Sequence, residues 1–102
     1  MKKVIKDGRV AVLYSPDYGA GWYTWNQEYP EMLFDPTLVM FVEDGDLDKA
    51  EAYATLKWPD AYLGGLRDLR VEWIPEGTAF KITEYDGNES IEIRDGGQWI
   101  IA

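Results

Sequence analysis

Residues 19–25 read Gly-Ala-Gly-Trp-Tyr-Thr-Trp and lie between a predicted hairpin and a predicted helical region. Gly19 and Gly21 permit backbone angles closed to other residues and let another group approach the main chain. Trp22 and Trp25 are three positions apart, so one helical turn would place both rings on one side. The segment therefore indicates either the wall of a ligand pocket, in which rings stack on a flat group, or a loop whose tryptophans close one end of the core.

Upstream of this segment, residues 3–14 predict a β-hairpin. Asp7 and Gly8 form the signature of a two-residue type I′ turn and separate two apolar runs, residues 4–6 and 9–14. Pro16 ends the second strand because proline cannot continue a strand ladder.

Downstream of the segment, the chain predicts two short helices. Asp35 supplies the N-cap and Pro36 the first residue of one helix, which is expected to end near Gly45. A second helix opens around Asp46 and runs to about Trp58, before a proline ends it.

The acidic residues between these helices match part of the sequence pattern of a calcium-binding loop. Asp44, Asp46 and Asp48 occupy its first, third and fifth positions, but Lys49 stands where the loop needs glycine and Thr55 where it needs glutamate. We therefore predict no metal site here and expect the acids to cap the helices.

The C-terminal third predicts four short strands, in residues 69–73, 80–83, 91–94 and 98–101. The predicted fold class is α+β: an N-terminal β-hairpin, two short central helices and a C-terminal antiparallel β-meander, with the strands forming one curved sheet. A length of 102 residues without an evident linker or repeat predicts a single domain, residues 1–102.

The composition disfavours several classes of function. The chain has no cysteine and no histidine, which removes disulfides, thiolate nucleophiles, imidazole catalysis and Cys/His metal cages. No cofactor is expected, and the absence of a signal peptide or a long apolar run predicts a cytoplasmic location. A carboxylate pair can catalyse hydrolysis, but nothing in the pattern selects two of the 19 acids, so an enzyme is not expected.

The formal net charge of −9 is uneven along the chain: residues 1–16 carry +3, residues 17–60 carry −8 and residues 61–102 carry −4. This sign disfavours direct nucleic-acid binding. An acidic face suits a basic protein partner, or it simply maintains solubility. Arg67 and Arg70 are either a clamp for an anionic group or surface partners of the acids around them.

Three segments carry a resemblance to known proteins. Residues 15–26, 72–78 and 84–91 read SPDYGAGWYTWN, EWIPEGT and EYDGNESI, and they resemble a set of small phage and prophage proteins without an assigned activity. The resemblance covers most of the chain and carries over no catalytic residue. It implies stoichiometric binding to a component of the host cytoplasm, including sequestration of nucleotide defence signals.

The first hypothesis is thus a small non-enzymatic binding protein for a nucleotide-type ligand, in which rings stack on the base, glycine amides donate to polar groups and an arginine neutralises phosphate. The predicted ligand contacts are Gly19, Gly21, Trp22, Tyr23, Trp25, Asn26, Arg67 and Arg70. The alternative is an acidic inhibitor of a basic or nucleic-acid-binding host protein, with aromatic anchors. A carboxylate-based hydrolase and a virion component are further alternatives, and the aromatics and short edge strands leave a homo-oligomer open.

Overall fold

The computed structural model describes residues 1–17, 21–93 and 100–102. Its strands and helices are β1 (Ile5–Lys6), β2 (Arg9–Tyr14), α1 (Pro36–Glu43), α2 (Leu47–Lys57), β3 (Arg70–Pro75), β4 (Ala79–Tyr85), β5 (Asn88–Ile93) and β6 (Ile100–Ile101). Single 3₁₀ turns are found at Tyr23–Trp25, Pro30–Leu33 and Leu66–Asp68. The predicted α+β class is confirmed.

The N-terminal hairpin has the predicted turn. Asp7 and Gly8 both have positive φ, at 54° and 74°, as a type I′ turn requires. On its other edge β2 pairs antiparallel with β3, so that β2 is the central strand of a three-stranded sheet. Residues 10–13 are fully buried, as expected of an apolar strand that is covered on both faces.

The strands form two sheets, where the sequence predicted one curved sheet. β3 pairs with β2, and the second sheet has the order β5-β4-β6. The chain turns between β3 and β4 at Gly77, whose φ is 85° and whose amide donates to the carbonyl of Ala102. Pro75 cannot donate to a ladder, so β3 ends there and β4 starts a separate sheet. The predicted strand residues 94, 98 and 99 lie outside the described part of the chain.

The core is divided between the two faces of β2. Ala11 and Leu13 pack in one cluster with Leu38 of α1 and residues of α2. Val10 and Val12 point to the other face and pack with Phe80 of β4. This alternation follows from the two-residue period of a strand. The helices and the second sheet therefore cover opposite faces of the first sheet.

Both helices begin at the predicted caps. The Asp35 side chain accepts from the Leu38 amide at 3.0 Å at the start of α1, and Asp46 accepts from the Lys49 amide at 3.2 Å at the start of α2. Gly45, with φ of 72°, follows the end of α1 as predicted.

Asp35 also joins the two helices. Its buried carboxylate accepts from the Tyr53 hydroxyl at 2.8 Å and from the Lys57 ammonium at 2.6 Å, both on α2. Burial acts to raise the pKa of Asp35, but hydrogen bonds from Lys57, the Leu38 amide and Tyr53 outweigh it, and the pKa lies below its ordinary value of 3.8.

We expect Asp35→Asn to lower the free energy of unfolding by about 2 kcal/mol at pH 7, because charge-assisted hydrogen bonds to both partners are lost. A carboxylate with a lowered folded-state pKa stabilises the fold above its unfolded-state pKa, and that contribution is lost as the pH falls from about 4 through the folded-state value. The difference between wild type and variant, measured by urea denaturation, should therefore shrink on acidification.

The matched control is Asp46→Asn, which keeps a good cap and whose partner Lys49 is exposed, so its effect should stay within about 0.5 kcal/mol. An Asp35→Asn difference that is the same at pH 7 and pH 3 would contradict the role given to the carboxylate.

Candidate functional site

A buried carboxylate fixes the backbone of residues 21–24. Glu89 lies in β5 with 1% of its surface exposed, and it accepts from the amides of Ser15, Trp22 and Thr24 at 2.8–2.9 Å and from the Thr24 hydroxyl at 2.7 Å. Four donors replace the hydration that burial removes from the carboxylate. The conformation of this segment is thus set by a residue 67 positions from Trp22.

Trp22 lies in the core. Its ring has no exposed surface, its indole N–H donates to the carbonyl of Met32 at 2.8 Å, and it meets Trp58 edge to face with centroids 6.1 Å apart. Tyr23 is half-buried and packs against both core clusters. In this conformation Trp22 offers no face to a ligand, which matches the core-closing interpretation of the segment.

Trp25 faces solvent and stacks on Tyr62. The two rings are 45% and 48% exposed, with centroids 5.0 Å apart and planes inclined by 26°. Asn26 is buried beside them: its side-chain oxygen accepts from the Tyr62 amide, and its side-chain nitrogen donates to the Tyr62 carbonyl, each at 2.8 Å. Trp25 and Tyr62, which we name the aromatic pair, are therefore exposed rings on a fixed backbone.

Two glycines lie directly against the aromatic pair. A Cβ atom on Gly21 would be 2.5 Å from the Trp25 indole, and one on Gly64 would be 2.7 Å from the Tyr62 hydroxyl oxygen. Any other residue at either position would displace a ring. The sequence predicted that Gly21 lets another group approach the main chain, and in the structure that group is the ring of Trp25. Gly19, the other predicted glycine contact, lies outside the described residues.

Exposed acidic residues lie close to the aromatic pair along the chain. Glu28 and Asp60 are exposed and lie three and two positions along the chain from Trp25 and Tyr62. The face of an aromatic ring carries negative electrostatic potential, and neighbouring carboxylates add to it. This chemistry favours a cationic group on the partner, such as an arginine or lysine side chain.

The two arginines of the predicted clamp have no contact with the aromatic segment among the described residues. Arg67 binds Asp48 at 2.8 Å and Glu51 at 3.2 Å, both on α2, and Arg70 opens β3 as an exposed residue. Within the described ranges, no hydrogen bond, ion pair or ring contact joins either arginine to residues 21–26. Arg67 thus acts as a surface partner of acids, as the second interpretation of the sequence expected.

Sequence reasoning missed Glu89 and Tyr62. The alternation of β5 carries a signal for Glu89, because it shares a face with Ile91, which packs against the core. No local pattern points to Tyr62, since its partner Trp25 is distant in the chain and the two meet only through the fold.

The described residues contain no group of three or more acidic side chains arranged to hold a metal ion. Two of the three acids of the apparent calcium loop have other partners, since Asp46 caps α2 and Asp48 binds Arg67.

No family model, no curated protein and no solved structure matches the chain. The resemblance of segments 15–26, 72–78 and 84–91 to phage proteins stays a prediction. Among the helices of the described ranges, none is long and apolar enough to cross a membrane.

Proposed function

We propose that the chain is a small non-enzymatic binding protein whose aromatic pair docks on a basic protein. The observation that supports this most is that two half-exposed rings are held in place by Asn26, Gly21 and Gly64, with exposed acids close to them along the chain. Rigid aromatic side chains lose little conformational entropy on binding and are the typical hot spots of protein interfaces. Their exposed faces add nothing to folding, so they are available to a partner.

A basic protein is favoured over a nucleotide at the aromatic pair because of charge. Residues 17–60 carry −8, and Arg67, one of the two arginines predicted to neutralise phosphate, is already bound to two acids. A phosphate group would therefore meet repulsion, whereas a lysine or arginine would gain from both the rings and the carboxylates. The resemblance to phage proteins implies a partner among the components of the host, and host proteins that bind nucleic acid are basic enough to fit.

The test uses capture followed by affinity measurement. Immobilised wild-type protein is incubated with bacterial lysate at low salt, the retained proteins are identified, and a purified basic candidate is titrated against wild type and variants. We expect Trp25→Ala to raise the Kd about 30-fold or more, as removal of a hot-spot ring does. Gly64→Ala, which displaces the Tyr62 ring without removing it, should also raise the Kd, but by a smaller factor.

The matched control is Tyr85→Ala, which removes a ring that is 77% exposed on β4 but lies outside the aromatic pair. Its Kd should equal that of wild type, and the affinity of the wild-type complex should fall as salt rises. Retained proteins that are acidic, or that bind folded Trp25→Ala as tightly as wild type, would refute the proposal.

A further inference from the structure

A separate cleft lies between the N-terminal hairpin and α1. It consists of two hollows of about 370 Å³ and 210 Å³ that share Lys6, Glu43 and Trp73 in their walls. The larger hollow falls in the range of ~300–1,000 Å³ typical of small-ligand sites. The smaller one has apolar walls from Val39 and Met40. We name this space the Trp73 cleft.

Strand register places Trp73 beside two cations. Ala11 is directly opposite Trp73 on the β2–β3 ladder, and Lys6 is directly opposite Arg9 on the hairpin. Opposite residues share a face, and Arg9 and Ala11 also share it because they are two positions apart. Lys6, Arg9 and Trp73 therefore project from the same face of the sheet into the same cleft.

The two cations have no partner within the described part of the chain. Lys57 and Arg67 are bound to acids, but the side chains of Lys6 and Arg9 take part in no hydrogen bond or ion pair there. Like charges that face each other across a hairpin repel, and an anionic group between them would relieve that repulsion. In a chain of net charge −9, this is a local environment that suits an anion.

Three carboxylates also line the cleft, and they restrict the chemical class of ligand that it can bind. Asp7 of the hairpin turn and Glu43 at the end of α1 line the larger hollow, which therefore has as many acids as cations. Asp44 lines the smaller hollow, so the cleft as a whole has one more acid than cations. A bare phosphate ion gains little in such a site. Glu43 is exposed and can accept hydrogen bonds from N–H groups. A fitting ligand combines an anionic group, a flat ring and N–H donors at the ring edge.

We propose that the Trp73 cleft binds a purine mononucleotide and prefers guanine. The phosphate lies at Lys6 and Arg9, and the base stacks on the half-buried Trp73 ring. The Watson–Crick edge of guanine presents two adjacent N–H donors, which match the two oxygens of the Glu43 carboxylate; adenine presents one amino group beside an acceptor. This site uses none of the residues of the aromatic pair and stands independently of protein docking.

Calorimetric titration of the whole protein with GMP, AMP, guanosine and inorganic phosphate tests the assignment. GMP should bind, AMP and guanosine should bind about tenfold more weakly, and inorganic phosphate should give no measurable heat. Lys6→Gln and Arg9→Gln should each raise the Kd for GMP about tenfold, because a charge-assisted hydrogen bond is lost. Lys49→Gln, which removes a cation exposed on α2, should change it less than twofold.

The variant Glu43→Gln distinguishes recognition of the base from a general electrostatic effect on phosphate binding. It should remove the preference for GMP over AMP, although it makes the cleft less negative. Absence of GMP binding by folded wild type, guanosine binding as tightly as GMP, or equal effects of Lys6→Gln and Lys49→Gln would each overturn the proposal. AMP binding more tightly than GMP would overturn the assignment to guanine.

Discussion

Replacing Glu89 by glutamine is expected to lower the free energy of unfolding by about 3 kcal/mol. One carboxylate oxygen accepts from the Ser15 amide, and the other accepts from Trp22 and from both donors of Thr24. A glutamine side chain has an NH₂ group in place of one of the two oxygens. This group would point at the N–H or O–H donors that the oxygen accepted from, in a site that is closed to water. The remaining hydrogen bonds also lose their charge assistance.

The matched control is Glu84→Gln in the same hairpin. Glu84 is the cross-strand partner of Glu89, but it is exposed, and among the described residues its side chain accepts only from the amide of Gly87, at 3.0 Å. Its replacement should cost no more than about 0.5 kcal/mol. Urea denaturation at pH 7 gives both values, and equal small losses would show that the carboxylate of Glu89 is not an anchor. Near-ultraviolet circular dichroism should change only for Glu89→Gln, because residues 21–24 hold the Trp25 ring.

The parts of the fold that could be predicted are those specified within a few residues. The Asp7–Gly8 turn depends on two positive φ angles, and the start of α1 depends on Asp35 and Pro36 alone. The division into two sheets could not be predicted in this way. A period-two pattern shows that a strand exists but not which neighbour it pairs with, and β3 pairs with β2 across more than fifty residues of intervening chain.

The candidate site, too, could be predicted from the sequence only where its geometry is set by neighbouring residues. The spacing of Trp22 and Trp25 predicted rings on one side, which holds only if both residues are helical. The 3₁₀ turn begins at Tyr23, and Trp22 has φ of −117° and ψ of −89°, outside the helical region. The reason lies in Glu89, which binds the amides of Trp22 and Thr24 and so sets their backbone from another strand. The two rings therefore diverge, one into the core and the other to the surface.

The two tryptophans should accordingly give opposite results when replaced. Trp22→Ala is expected to lower the free energy of unfolding by about 3–5 kcal/mol, because it opens a large cavity beside Trp58 and leaves the Met32 carbonyl without its donor. Trp25→Ala removes a ring that is 45% exposed and should cost less than about 1 kcal/mol. Urea denaturation of both variants measures the difference.

Trp22→Phe extends the comparison if Trp22→Ala does not fold. Phenylalanine fills most of the volume of the tryptophan ring but lacks the N–H group that donates to the Met32 carbonyl. We therefore expect the free energy of unfolding to fall by about 1–2 kcal/mol. Because Trp22 is sealed from solvent, the Kd for a basic partner should stay unchanged in Trp22→Phe and rise in Trp25→Ala. If Trp22→Phe raised the Kd for the partner as much as Trp25→Ala did, the effects of the two residues on binding could not be separated. The assignment of Trp22 to stability and of Trp25 to binding would then be wrong.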